Sequence, residues 1–137
     1  MPILTDTSVL VAAATPRETR HRDAIDALDR LASEQLAVPV TILTETLGFV
    51  RTRYGISYQR RLWDGLKESG IEVVGVDDAL LDMAREIDER YADVGFGFAD
   101  CTLLAACEVL RDARVLSFDR RLATYRPSFA PALEVLP

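Results

Sequence analysis

The sequence predicts an α/β fold in which a parallel sheet is covered by helices on both faces. Three observations predict it. Short apolar runs rich in β-branched residues alternate with longer stretches of helical periodicity from one end of the chain to the other, which is the pattern that crossover connections between parallel strands require. The stretch 99–110 is apolar on nearly every side, so it belongs at the centre of the fold rather than on its surface. A chain of 137 residues with 49% apolar residues is long enough to bury a sizeable core as one domain, residues 1–137.

The elements follow in order. Residues 2–5 form a short first strand, and a helix runs from 8 to 14, stopped near Thr15-Pro16. A charged amphipathic helix covers 20–33 with Ala24, Ile25, Leu28 and Leu31 on one face. Residues 36–38 form the second strand. Helices follow at 42–53 and 57–68, the latter stopped by Ser69-Gly70. Residues 71–76 form the third strand. A helix over 77–91 turns Leu80, Leu81, Ala84 and Ile87 inward, while Asp82, Glu86, Asp88 and Glu89 read as its solvated face. Val94-Gly95-Phe96-Gly97 is a loop, with Asp93 before it as a loop or cap residue. After the central helix come a fourth strand at 115–118 and a fifth candidate at 133–136.

Composition narrows the function. The net charge of −6 counts against binding nucleic acid by bulk attraction, but leaves room for a nuclease whose acids hold metal and whose arginines act locally. The basic residues are 15 Arg and one lysine, Lys67. Arginine suits bidentate phosphate contacts; a GC-rich genome explains the same bias. No apolar run approaches the roughly 20 residues of a membrane span. The start of the chain lacks a basic segment leading into an apolar core, so a cytoplasmic protein is expected. Cys101 and Cys107 lie in one helix about 240° apart around the axis and roughly 9 Å along it, so they cannot bridge and read as buried small side chains. His21 is the one histidine and reads as a surface residue. It excludes the usual zinc clusters and any histidine-pair mechanism in the isolated chain. Trp63 reads as core or interface rather than as a platform for bases.

Four acids stand where the chain turns between strand and helix. Asp6 closes the first apolar run, Glu45 lies in the helix-like stretch Thr44-Glu45-Thr46-Leu47, Asp100 opens the central helix, and Asp119 closes the run Val115-Leu116-Ser117-Phe118. In open parallel sheets, sites form beyond the carboxyl ends of the strands, and the helices entered from that edge start there. Topology therefore gathers at least three of the four. Clustered carboxylates repel one another, and a divalent cation relieves the repulsion. Each acid also has a plainer reading. Asp6 serves equally as an N-cap, and Ser8 beside it can bond a metal ligand or a phosphate. Asp100 can complement a helix dipole. Asp119 can cap a short helix or pair with Arg120 and Arg121. Glu45 borders an apolar arc widened by Ile42 and Phe49, so it should be partly desolvated and in need of a cation or a donor.

These acids and their surroundings resemble the PIN-domain family, and within it the VapC-type toxin ribonucleases. The resemblance runs over nearly the whole chain: Leu4-Thr5-Asp6-Thr7-Ser8, Thr44-Glu45-Thr46-Leu47, Tyr91-Ala92-Asp93 with Phe98-Ala99-Asp100, Leu116-Ser117-Phe118-Asp119, and the ending Leu133-Glu134-Val135-Leu136-Pro137. Cys101 and Ser117 depart from it, standing where the family usually has alanine or another small residue and threonine. The resemblance implies a three-layer α/β/α PIN-like domain with a central parallel sheet. It implies Mg²⁺ at the acids, with Mn²⁺ able to substitute, endonucleolytic cleavage of RNA, a small antitoxin partner and a homodimer. In that reading Asp6 and Asp100 are direct metal ligands, and Glu45 and Asp119 complete the shell. Basic residues near the acids in sequence, Arg51, Arg53, Arg120 and Arg121, would hold the phosphate backbone together with Ser8. The alternatives are a PIN-like scaffold that binds a partner without catalysis, and a housekeeping RNA-processing nuclease. Haloacid-dehalogenase phosphatases and receiver domains also place an aspartate after the first strand, but they need a lysine near the late strands, and Lys67 lies mid-chain.

Overall fold

The computed structural model describes residues 2–137. Its sheet has five strands, β1 (Ile3–Thr5), β2 (Leu36–Pro39), β3 (Glu72–Val74), β4 (Arg114–Leu116) and β5 (Glu134–Leu136). Every pairing is parallel, and the spatial order is β3-β2-β1-β4-β5. From β1 the chain first steps outward to β2 and β3, then returns to lay β4 on the other side of β1. The reversal places a topological switch point between β1 and β4, where doubly wound sheets open a crevice.

The helices are α1 (Thr7–Ala14), α2 (His21–Arg30), α3 (Val40–Tyr54), α4 (Ile56–Ser69), α5 (Asp78–Arg90) and α6 (Phe98–Leu110), with a 3₁₀ turn at Arg120–Thr124. Successive strand residues face opposite sides of the sheet, and two cores result. Ile3, Leu36 and Leu116 pack with Val9, Ala12, Ala24 and Ala27 of α1 and α2. Leu4, Ala37 and Val115, which are register partners across the sheet, pack with α6 and with Leu80, Ala84 and Ile87 of α5. This is the three-layer α/β/α arrangement. In α6 every residue from Cys101 to Cys107 is buried, so its apolar composition reflects its central place. Both cysteines are buried and unbridged.

Several expectations need correction. Leu81 is not inward but 36% exposed, because residues 80, 84 and 87 already fill the stripe and position 81 lies 100° round the axis. Trp63 is 53% exposed on α4, so it is not a core residue. His21 is half-buried, and its Nδ1 lies 2.8 Å from the Ala12 carbonyl oxygen at the last turn of α1. The fourth strand stops at Leu116: the Ser117 amide still reaches the Leu136 carbonyl at 2.8 Å, but the Phe118 amide goes to the Ser8 hydroxyl at 3.0 Å. The second helix ends at Arg30, where the Leu31 amide is shared between the Ala27 and Leu28 carbonyls at 3.2 Å each. Among the described residues no helix is long and apolar enough to cross a membrane.

The central place of α6 makes a stability prediction. Leu104 is fully buried, and Leu104→Ala should cost about 2–5 kcal/mol. Urea denaturation should show a lower midpoint with an unchanged slope; a loss below about 1 kcal/mol would mean that the helix is not the core element described.

Candidate active site

Asp6 leaves β1 and caps α1. Its backbone amide donates to the Leu116 carbonyl at 2.9 Å, which fixes the end of β1 against β4. The side chain is 4% exposed, and its two oxygens are separately held. The Thr7 amide donates to Oδ1 at 2.8 Å and the Ser117 hydroxyl donates to Oδ2 at 2.6 Å. Ser117 in turn accepts the Asp119 amide at 2.9 Å. Ser117, standing where the family usually has threonine, keeps a hydroxyl and with it bonds the Asp6 carboxylate and the Asp119 backbone.

Asp119 starts the 3₁₀ turn, accepting the Arg121 amide at 3.1 Å, and the Arg121 guanidinium then folds back onto both carboxylate oxygens at 2.6–3.2 Å. The same guanidinium stands 3.8 Å from Asp100 and reaches the Gly95 carbonyl at 3.4 Å. Asp100, in the first turn of α6, accepts the Gly97 amide at 3.0 Å. Each of the three aspartates thus caps a helix or turn, and the same chain reversals bring them to one edge. The capping reading and the site reading hold together.

Glu45 joins from α3. Its carboxylate accepts the Thr7 hydroxyl at 2.6 Å, so Thr7 ties Asp6 and Glu45 to one dipeptide. The expectation that Glu45 is desolvated fails. The inward stripe of α3 is Ile42, Thr46 and Val50, leaving Glu45 exposed and Phe49 beside it 45% exposed.

Electrostatics show the acids acting on one another. Burial pushes the Asp6 carboxyl up to about 6, and the charges of Asp100 and Asp119 add to it against the two hydrogen bonds. Asp100 is also raised, first by burial, then by Asp119 and Glu45, with the Gly97 bond and Arg121 opposing. Asp119 is lowered, chiefly because Arg121 bonds it. All four acids are connected, by charge or through hydroxyls.

The remaining predicted residues separate. Arg121 is at the acids. Arg120 instead donates to the Val135 carbonyl at 3.0 Å and ties the turn to β5. Arg51 reaches Gln59 at 3.4 Å and Arg53 reaches the Tyr54 hydroxyl at 3.2 Å; six and eight residues beyond Glu45 on α3, they lie roughly 9 and 12 Å along the helix and are not gathered with the acids. Ser8 accepts the Phe118 amide at 3.0 Å and lies 3.4 Å from the Ser117 hydroxyl, so it belongs to the scaffold holding Asp6. Asp93 is exposed in the turn before α6. Sequence reasoning missed Thr7 as the link between Asp6 and Glu45. The signal was its place directly after the first acid on a helix N-terminus, but its partner lies 38 residues away.

The donor set is all oxygen and anionic, which suits a hard divalent cation. Among the described residues no three His, Cys, Asp or Glu side chains stand close enough together to hold one ion. Mg²⁺ commonly needs only one or two carboxylates, with water and substrate phosphate completing its shell. Burial first, and then the charges of the neighbouring acids, disfavour the ionised forms of Asp6 and Asp100; a bound cation would offset both, so the residues fit the group.

The sequence profile of the PIN domain family matches residues 3–126. No curated protein matches the chain in sequence. Among solved structures, VapC20 of Mycobacterium tuberculosis, described as a sarcin–ricin loop cleaving toxin, aligns with a TM-score of 0.79 at 20% identity, over 94% of this chain and 98% of that one. VapBC2 of Rickettsia felis, bound to a DNA fragment from its promoter, aligns at 0.71 and 14% identity, over 98% and 97% of the two chains. FitAcB of Neisseria gonorrhoeae aligns at 0.65 and 19% identity, over 98% and 96%. At these identities the likeness is one of fold.

Two predictions follow from the charges. Folded Asp6 titrates near 6 against 3.8 for a free carboxyl. Between those values the folded state holds a proton that the unfolded state has released, so this group's favourable contribution is complete below about pH 4 and is lost as the pH rises to about 6. In metal-free buffer Asp6→Asn should therefore gain on the order of 3 kcal/mol at pH 7 relative to wild type and nothing below pH 4. Urea titrations across that range check it, and an equal effect at both ends would refute it. In Arg121→Ala, the carboxyls of both Asp119 and Asp100 should titrate at higher pH than in wild type. Side-chain carboxyl NMR reads this directly, and unmoved titrations would show that Arg121 is solvated away from them.

Proposed function

Because the chain belongs to the PIN domain family, we propose that it is a metal-dependent endoribonuclease and the toxin of a toxin–antitoxin pair. The observation that carries this reading is the electrostatic coupling of Asp6, Asp100 and Asp119 at the β1/β4 switch point, with Glu45 linked through Thr7. Solved structures with the same fold, such as VapC20 and FitAcB, support the toxin reading.

Asp6 and Asp100 would hold Mg²⁺ or Mn²⁺, with Glu45 and Asp119 completing the shell directly or through water. When bound, the cation supplies a lowered water pKa and charge stabilisation on the phosphate. The chain's own groups do the rest. Thr7 and Ser117 fix the two oxygens of Asp6, so its orientation is set before substrate arrives. Glu45, exposed and bonded only on one oxygen by Thr7, is placed to take a proton from an attacking water. Arg121 has donors enough to leave Asp100 and Asp119 for a phosphate oxygen of the substrate. An anionic substrate would find in it a cation held among the acids. No covalent nucleophile is required.

A small antitoxin and a second copy of the chain belong to the same reading. Exposed Phe98 and Leu81 beside the α5–α6 cleft offer an apolar face that an assembly would cover.

Purified protein should cut RNA in Mg²⁺ or Mn²⁺ and stop on addition of EDTA. Asp100→Asn should lose at least about a hundredfold in rate while keeping its circular dichroism. Expression alone should arrest growth, and co-expression with a small protein encoded alongside should relieve the arrest. Cleavage that persists in EDTA would sink the metal mechanism. Active but harmless enzyme would indicate a housekeeping nuclease.

A further inference from the structure

A cleft of about 310 Å³ opens between α1, α3 and the segment after β4, lined by Thr7, Val11, Glu18, Arg20, Phe49 and Phe118. Three of its walls begin at site acids. Thr7 follows Asp6 and bonds Glu45. Phe49 lies one helical turn beyond Glu45 on the same face of α3. Phe118 directly precedes Asp119. None of the four acids lines the cleft, but through Thr7 it adjoins Glu45 and so reaches the acidic edge.

The walls also have a particular chemistry. Phe49 presents its ring to solvent, 45% exposed. The Arg20 guanidinium lies 3.9 Å over the centre of the Phe118 ring, extending one aromatic surface with a flat cation while sharing its charge with Asp23 at 3.3 Å. The one acid in the lining, Glu18, accepts the Tyr54 hydroxyl, and Arg53 stands 5.6 Å over the Tyr54 ring. The cleft is thus mostly apolar, with Arg20 in its wall and Arg53 behind Glu18 and Tyr54, in a protein of net charge −6. Unpaired bases bind on such surfaces, stacking on aromatic rings and on guanidinium planes.

We infer that this cleft is a nucleobase subsite: one unpaired base of the RNA lies against Phe49 and the Arg20–Phe118 pair while its neighbouring phosphate sits at the acids. The inference rests on the ribonuclease reading and deepens it, since it makes single-stranded or flipped-out RNA the substrate form. An apolar peptide side chain would fill the same volume, but it would use neither the arginines nor the continuity with the acidic edge.

The test uses the full chain in Mg²⁺ and a set of short single-stranded RNAs, identical except for one abasic residue moved along the sequence. With wild type, an abasic residue at one fixed position relative to the cut should raise KM about five- to hundredfold, the usual worth of a stacked base. Phe49→Ala should show a similar rise with intact RNA and no further rise with that abasic RNA. Phe49→Trp, which restores a stacking face, should return KM towards wild type. The exposure of Phe49 leaves the core untouched in both variants. Equal abasic profiles in wild type and Phe49→Ala would overturn the subsite and leave the ribonuclease reading standing. So would normal RNA cleavage by Phe49→Ala coupled with lost binding of a co-expressed antitoxin, which would assign the cleft to protein. Wild type that cuts no RNA in Mg²⁺ or Mn²⁺ would remove both readings.

Discussion

The carboxylate of Asp6 is buried at the end of the central strand, and much of the polar structure around it exists to keep it there. An unpaired buried anion is costly, and two short bonds from Thr7 and Ser117 offset only part of that cost. What remains is a carboxyl held well above its ordinary range. The bonds that hold it come from opposite sides of the switch point, one from α1 and one from the end of β4. The position of Asp6 therefore depends on the parallel pairing of β1 with β4, and the pairing delivers Asp119 alongside. A sheet with β4 elsewhere would bring neither Ser117 nor Asp119 to this edge.

Around that centre the chain uses one device repeatedly. Asp6, Asp100 and Asp119 each accept a backbone amide at the start of a helix or turn. Such amides carry partial positive charge and favour anions. The caps orient three carboxylates from the backbone, with Arg121 added at Asp119 and Asp100. Glu45 differs, being held by a hydroxyl and left in solvent, so the four acids are unequal in mobility and in environment.

The fold was legible in the sequence because its two periodicities are clean. Runs such as Val115-Leu116 and the stretch from Ala99 to Leu110 leave little choice of element or depth. Boundaries were less legible where side chains overrule the local pattern, as at Phe118, whose amide bonds the Ser8 hydroxyl rather than the sheet. Asp6, Asp100 and Asp119 were legible as candidates from their positions at strand ends and a helix start, whereas Glu45 lies inside α3. Their surroundings were not, since burial depends on helix phase to within one residue: Leu81 is expected on the inner face and lies just off it, and Glu45 is expected partly desolvated at the border of an apolar arc and is exposed. The arginines were ranked by closeness in sequence, which does not measure closeness in space. Arg120 and Arg121 are adjacent in the chain and point to β5 and to the acids respectively. The pairing of Thr7 with Glu45 spans 38 residues and no local signal encodes it.

Arg121 gives the acidic edge a competitor that cannot be diluted away. A free ion in solution comes and goes with its concentration, whereas this guanidinium is tethered two residues from the carboxylate it grips, at an effective concentration set by the chain alone. Any incoming positive charge must win against that fixed rival, so occupancy should behave as an exchange of one cation for another rather than the filling of a vacant place. An arginine released in such an exchange would stand beside a neutralised site, able to meet an approaching anion. The short tether between 119 and 121 would thereby raise the ambient cation level needed to turn the edge from self-neutralised to receptive.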